Sequence, residues 1–113
     1  MKKIAILACR NSNQVCACCA CLNAFYDRQK SFECYAGEEI RLTAFMRCSK
    51  CHTEVQPMEE PGFLEKLERL VSKGTECIHI GICAMKNDEA CPGMAQMAKA
   101  FEDRGIEVIW GTH

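Results

Sequence analysis

The chain has 113 residues, enough for one domain (1–113) around one hydrophobic core, and its composition, 49% hydrophobic and 26% charged, excludes a disordered polymer. Fourteen basic residues stand against 15 acidic ones, for a formal net charge of −1, and with no basic stripe we expect no nucleic-acid partner. Cysteine is the outlier, with 11 residues, an odd number that argues against a simple disulfide scaffold.

Lys2-Lys3 ahead of Ile4-Ala5-Ile6-Leu7-Ala8-Cys9 superficially resembles an export signal. Its apolar run of five residues falls short of the roughly 7–15 that such a signal needs. It reads better as a first strand, 3–8, covered on both faces. No other stretch approaches a membrane span, so we expect no membrane partner and a cytoplasmic setting that keeps thiols reduced.

Residues 9–21 are polar and cysteine-dense, a loop at first, after which Leu22, Phe25, Tyr26 and the run 28–30 suggest a helix with Phe32 near its end. Gly37 and Glu38-Glu39 break it. Ile40, Leu42, Ala44 and Met46 alternate with Arg41, Thr43 and Phe45, a second strand. Loop-like sequence over 47–61 contains Pro57 and Pro61. Phe63, Leu64, Leu67, Leu70 and Val71 then mark one helical face, with Lys73 in the last turn and Gly74 as the stop. The third strand is expected over 77–82 and a loop over 84–90. Pro92 opens a third helix that buries Met94, Met97, Ala98 and Phe101, Gly105 closes it, and 106–110 is the last strand.

The alternation of strand and helix predicts a three-layer α/β fold. Its four-stranded, mostly parallel sheet has right-handed crossovers and order 2-1-3-4, a truncated flavodoxin-like or Rossmann-like arrangement. In such a sheet all strand C-termini, and the helix N-termini that follow them, open onto one edge. Cys9 ends strand one, Cys16, Cys18, Cys19 and Cys21 occupy the first strand-to-helix loop, and Cys48 and Cys51 follow strand two. Cys83 ends strand three, Cys91 lies in the third loop, and His113 trails the last strand. Nine of the 11 cysteines therefore fall on that edge, leaving Cys34 and Cys77 elsewhere. Helix N-termini, together with Arg10, Arg47 and Lys50, would favour thiolates there by lowering thiol pKa values. Cys77 reads as a small core hydrophobe and His79 as a satisfied core histidine; His52 reads as a solvated loop residue, and Met94 and Met97 as packing.

The opening IAILACR, the Cys16…Cys21 pair and the Cys48-Ser-Lys-Cys51 motif resemble the CGGC-domain family, as do IHIGIC over 78–83, CPGM from Cys91 and the closing Gly111-Thr112-His113. The similarity runs along the whole chain. It implies a small cysteine-rich domain for which metal binding is inferred and no enzymatic reaction is specified. On that resemblance the expected ligands are Cys9, Cys16, Cys21, Cys48, Cys51, Cys83, Cys91 and His113. Ser49-Lys50 stands where the family has two glycines, so Lys50 can serve as a charge partner instead, and Cys18 and Cys19 are additional to the family pattern.

The leading functional expectation is a module that binds a metal ion or cluster through thiolates: zinc or an iron–sulfur cluster, with Cu(I) also compatible with soft ligands. The alternative is a thiol–disulfide redox protein using Cys48 and Cys51, with Cys9 or Cys83 as resolving thiol. A nucleotide binder is disfavoured, because Cys9-Arg-Asn-Ser-Asn follows strand one where a glycine-rich phosphate loop would stand.

Overall fold

A computed structural model describes residues 2–8, 16–48, 59–81, 85–86, 89–90 and 92–112. Strand β1 spans Lys2–Ala8, helix α1 Cys19–Asp27, a 3-10 segment Lys30–Tyr35, strand β2 Ile40–Arg47 and helix α2 Pro61–Ser72. Strand β3 spans Cys77–Ile80, two short strands β4 and β5 span Met85–Lys86 and Glu89–Ala90, helix α3 spans Pro92–Asp103 and strand β6 Glu107–Trp110. The main sheet has the order β2-β1-β3-β6 and every pairing in it is parallel, which is the expected 2-1-3-4 arrangement. Among the described residues, no helix is long and apolar enough to cross a membrane.

Apolar residues alternate across the sheet and bury both faces. Ala5, Leu7, Ile78 and Ile80 meet Phe63, Leu67 and Leu70 of α2 and Met94, Met97, Ala98 and Phe101 of α3. On the opposite face Ile4, Ile6 and Cys77 meet Cys21, Ala24 and Phe25 of α1 and Phe32 and Tyr35 of the 3-10 segment. The predicted apolar faces of α2 and α3 are thus the buried ones. Val71, at the flank of the α2 stripe, is 36% exposed.

Three local readings differ from the sequence expectation. The first helix closes at Arg28 in place of continuing to residue 30: Arg28 takes a left-handed conformation (φ 56°), and its guanidinium Nη1 donates to the Phe25 carbonyl at 2.7 Å. Chain reversal there lets Phe32 enter the core from a separate 3-10 turn, where its ring packs edge-on to Phe25. Within the expected loop 84–90, Met85–Lys86 and Glu89–Ala90 pair antiparallel. In β2 the register slips by one residue, with Ile4 opposite Leu42 but Ala5 opposite Ala44. Thr43 is the extra residue, a bulge that reverses the alternation. Ile40, Leu42 and Phe45 therefore pack on the α1 side, and Ala44 and Met46 on the α2/α3 side.

Candidate functional site

The four strands of the main sheet end level. Ala8 pairs with Arg47, Leu7 with Ile80 and Ile80 with Trp110. Backbone hydrogen bonds continue one residue beyond: Cys48 N–H donates to the Ala8 carbonyl at 2.9 Å, Gly81 N–H to Leu7 at 2.8 Å and Gly111 N–H to Ile80 at 2.6 Å. The chain leaves all four strands along this rim, as the topology demands.

The N-terminus of α1 sits at the same rim, tied there by Arg47 at the end of β2. One guanidinium nitrogen, Nη2, donates to the Cys16 carbonyl at 3.1 Å and reaches Cys18 Sγ at 2.9 Å. Cys18 is the N-cap of α1 and adopts a left-handed backbone (φ 65°), which costs a non-glycine residue on the order of 1–3 kcal/mol. Its own N–H donates to Cys16 Sγ at 3.3 Å. The first-loop cysteines thus present one sulfur that accepts a backbone amide and one that accepts a guanidinium, both donors suited to anionic sulfur. Desolvation, however, raises the Cys18 thiol pKa by more than the Arg47 charge lowers it, and the neighbouring Cys16 and Cys21 raise it further. For Cys18 the expected net lowering by basic residues is therefore reversed.

Cys21, one turn into α1, is buried at 3% exposure, and its Sγ lies 3.1 Å from the Thr112 hydroxyl. Cys48 is also buried but belongs to the α2/α3 side, where it lines a small pocket with Leu7, Met46, Phe63, Arg47 and Lys66. Lys66 Nζ donates to the Arg47 carbonyl at 3.3 Å, so a second cation stands beside this end of β2. The structure places Cys16 just before α1 and Cys21 in its first turn, and it puts Cys48 at the end of β2 on the other layer. Among the described residues, no three Cys, His, Asp or Glu side chains come together as a metal-holding group. The remaining expected ligands, Cys9, Cys51, Cys83, Cys91 and His113, lie outside the described residues, as do His52, Arg10 and Lys50.

Cys77 and His79 are fully buried, as read from the sequence. His79 is stacked on Phe32 at 4.2 Å between ring centroids. Its Nδ1 lies 3.2 Å from the Gly111 carbonyl, which can only accept, so Nδ1 carries the proton. Nε2 then accepts from the Tyr35 hydroxyl at 2.8 Å, and the same hydroxyl lies 3.2 Å from Cys77 Sγ. Burial lowers the His79 pKa and raises those of Cys77 and Tyr35. Cys34 is exposed, its Sγ 3.3 Å from the Ser31 carbonyl.

Sequence reasoning passed over Tyr35 and gave Cys18 and Thr112 no role of their own. Thr112 stands in the closing Gly-Thr-His motif, and its complete burial is the property that the motif alone left hidden. A family model described as the CGGC domain matches residues 3–113. No curated protein and no solved structure matches the chain.

Proposed function

The chain belongs to the CGGC-domain family, and from that premise we propose that it is a metal-binding module whose site is built from thiolates at the C-terminal edge of the parallel sheet. The observation behind this reading is the pair of donors directed at sulfur before α1: the Arg47 guanidinium 2.9 Å from Cys18 Sγ and the Cys18 amide 3.3 Å from Cys16 Sγ. The donors fit a soft or borderline metal: sulfurs on a rim where an amide and a guanidinium already point at sulfur. A four-thiolate zinc site carries a charge of about −2, which Arg47 and the α1 N-terminus offset.

Cys16 and Cys21 are the ligands we assign to the α1 side, and Cys48 and Cys51 those that follow β2. Cys9, Cys83, Cys91 and His113 complete the proposed ligand set. The metal is zinc or an iron–sulfur cluster. A bound metal supplies the charge that holds the sulfurs deprotonated; the protein's part is to orient them and to shield them from water. Thiol–disulfide exchange at Cys48 and Cys51 is the weaker reading, because an attacking thiolate needs access and Cys48 is only 7% exposed.

Anaerobic purification followed by elemental analysis and a visible absorption spectrum tests the proposal. Colour with stoichiometric iron and sulfide identifies a cluster, and colourless protein with stoichiometric zinc identifies a tetrahedral site. Cys16→Ser and Cys51→Ser are each expected to lose bound metal. Metal-free protein containing a titratable Cys48–Cys51 disulfide would replace this reading with the redox one.

A further inference from the structure

Thr112 is fully buried beside the sulfur of a candidate ligand, and the residues before it are pinned from several directions. Gly111 has φ +109°, a region that favours glycine, and a Cβ there would stand 3.1 Å from Ser31 Oγ. Both of its backbone polar groups are engaged, the N–H with the Ile80 carbonyl at 2.6 Å and the carbonyl with His79 Nδ1 at 3.2 Å. His79 is in turn fixed by the Tyr35 hydroxyl at 2.8 Å and by stacking on Phe32. A continuous line of contacts therefore runs from the buried Tyr35 through His79 and Gly111 to the Thr112 hydroxyl, 3.1 Å from Cys21 Sγ.

We infer that Thr112 is a positioning residue for the metal site: its hydroxyl donates a hydrogen bond to the Cys21 thiolate, and the Tyr35–His79–Gly111 line holds it in place. The inference rests on the metal-binding reading and adds a residue outside the ligand set. As a thiol, Cys21 can donate or accept toward Thr112. As a thiolate it has no proton, so Thr112 must be the donor, and the bond becomes charge-assisted. Such a bond fixes the sulfur's direction and withdraws electron density from it, lowering the energy of the lone pair that binds metal. Outer partners of this kind change metal affinity by roughly 10–100-fold.

The test uses the reduced full chain titrated with Co²⁺ under anaerobic conditions, following the thiolate-to-cobalt charge-transfer band. Thr112→Val preserves side-chain shape and removes the donor; Thr112→Ser restores it. Thr112→Val is expected to bind Co²⁺ about 10–100-fold more weakly and to move the band to longer wavelength, while Thr112→Ser keeps the parent position. His79→Asn, whose amide can donate where Nδ1–H does, is expected to stay closer to the parent than His79→Leu. A generally loosened fold would weaken affinity in every variant without this band shift and without rescue by serine, and that pattern overturns the inference. So does a Thr112→Val protein with the parent's band and affinity. A parent chain with no thiolate-to-cobalt band overturns the inference; if it is also isolated without stoichiometric zinc or iron and sulfide, the metal-binding reading falls with it.

Discussion

Complete burial deprives the charged form of a histidine of its hydration, so His79 is held neutral, its pKa below the ordinary value. The Gly111 carbonyl and the charge of Glu107 favour the protonated ring, but desolvation outweighs them. The consequence for stability has a definite sign. Between the unfolded value near about 6.5 and the lower folded one, the unfolded chain binds the extra proton, so stability is full above about pH 6.5 and falls as the solution is acidified. The slope from this one group reaches about 1.4 kcal/mol per pH unit. Urea unfolding of the parent and of His79→Asn at pH 7, 6 and 5 isolates it: the difference in pH slope is the His79 contribution, and parallel profiles would show that the ring protonates without opposing the fold. The buried, satisfied character of His79 was legible from its place in an apolar strand. Its partner was not, because Tyr35 lies 44 residues away on a segment whose path no local pattern specifies. Cys18 shows the converse case. It is additional to the family pattern, yet its sulfur lies 2.9 Å from the Arg47 guanidinium, an outcome decided by how the first loop reaches α1.

At the scale of elements, the signals that came through were those with a long period. Phe63, Leu67 and Leu70 along α2 and Met94, Met97, Ala98 and Phe101 along α3 each repeat over about two turns, so one irregular position does not obscure the face. A strand has less redundancy. In β2 the alternation of Ile40, Leu42, Ala44 and Met46 looked regular, but the bulge at Thr43 sends the second half of that series to the other layer and brings Phe45 to the α1 side. Only tertiary contacts record the slip: the Thr43 hydroxyl donates to the Ile4 carbonyl at 3.2 Å and lies 2.9 Å from the Thr75 hydroxyl. Thr43→Val keeps the β-branched shape and loses both contacts, leaving Thr75, which is 7% exposed, without this partner. The expected cost is about 1–2 kcal/mol in urea or guanidinium unfolding, with Thr43→Ser closer to the parent. A valine variant as stable as the parent would mean that strand pairing alone maintains the bulge.

For the molecule as a whole, the topology was readable because alternating strands and helices leave few ways to build a parallel sheet, and every one of them puts the strand C-termini on one edge. What alternation cannot specify is the layer each edge residue joins. Cys21 packs with α1 and Cys48 with α2 and α3, so the sheet edge lies between the two groups of candidate ligands. A metal held at this rim therefore acts on the hold of α1, a helix of nine residues whose buried side chains are Cys21, Ala24 and Phe25. Stripping it with a chelator should lower the melting temperature by roughly 10 °C if the metal had been present at about 100 times its dissociation constant, a linkage worth about 2.7 kcal/mol. The loss should also be local. Hydrogen exchange at the amides of residues 19–22 is expected to accelerate on chelation, while β1 and β3, which pair at the centre of the sheet, keep their protection. Equal acceleration throughout would make the metal a global staple and not a rim ligand, and no change in either melting or exchange would remove the metal from the account of this fold.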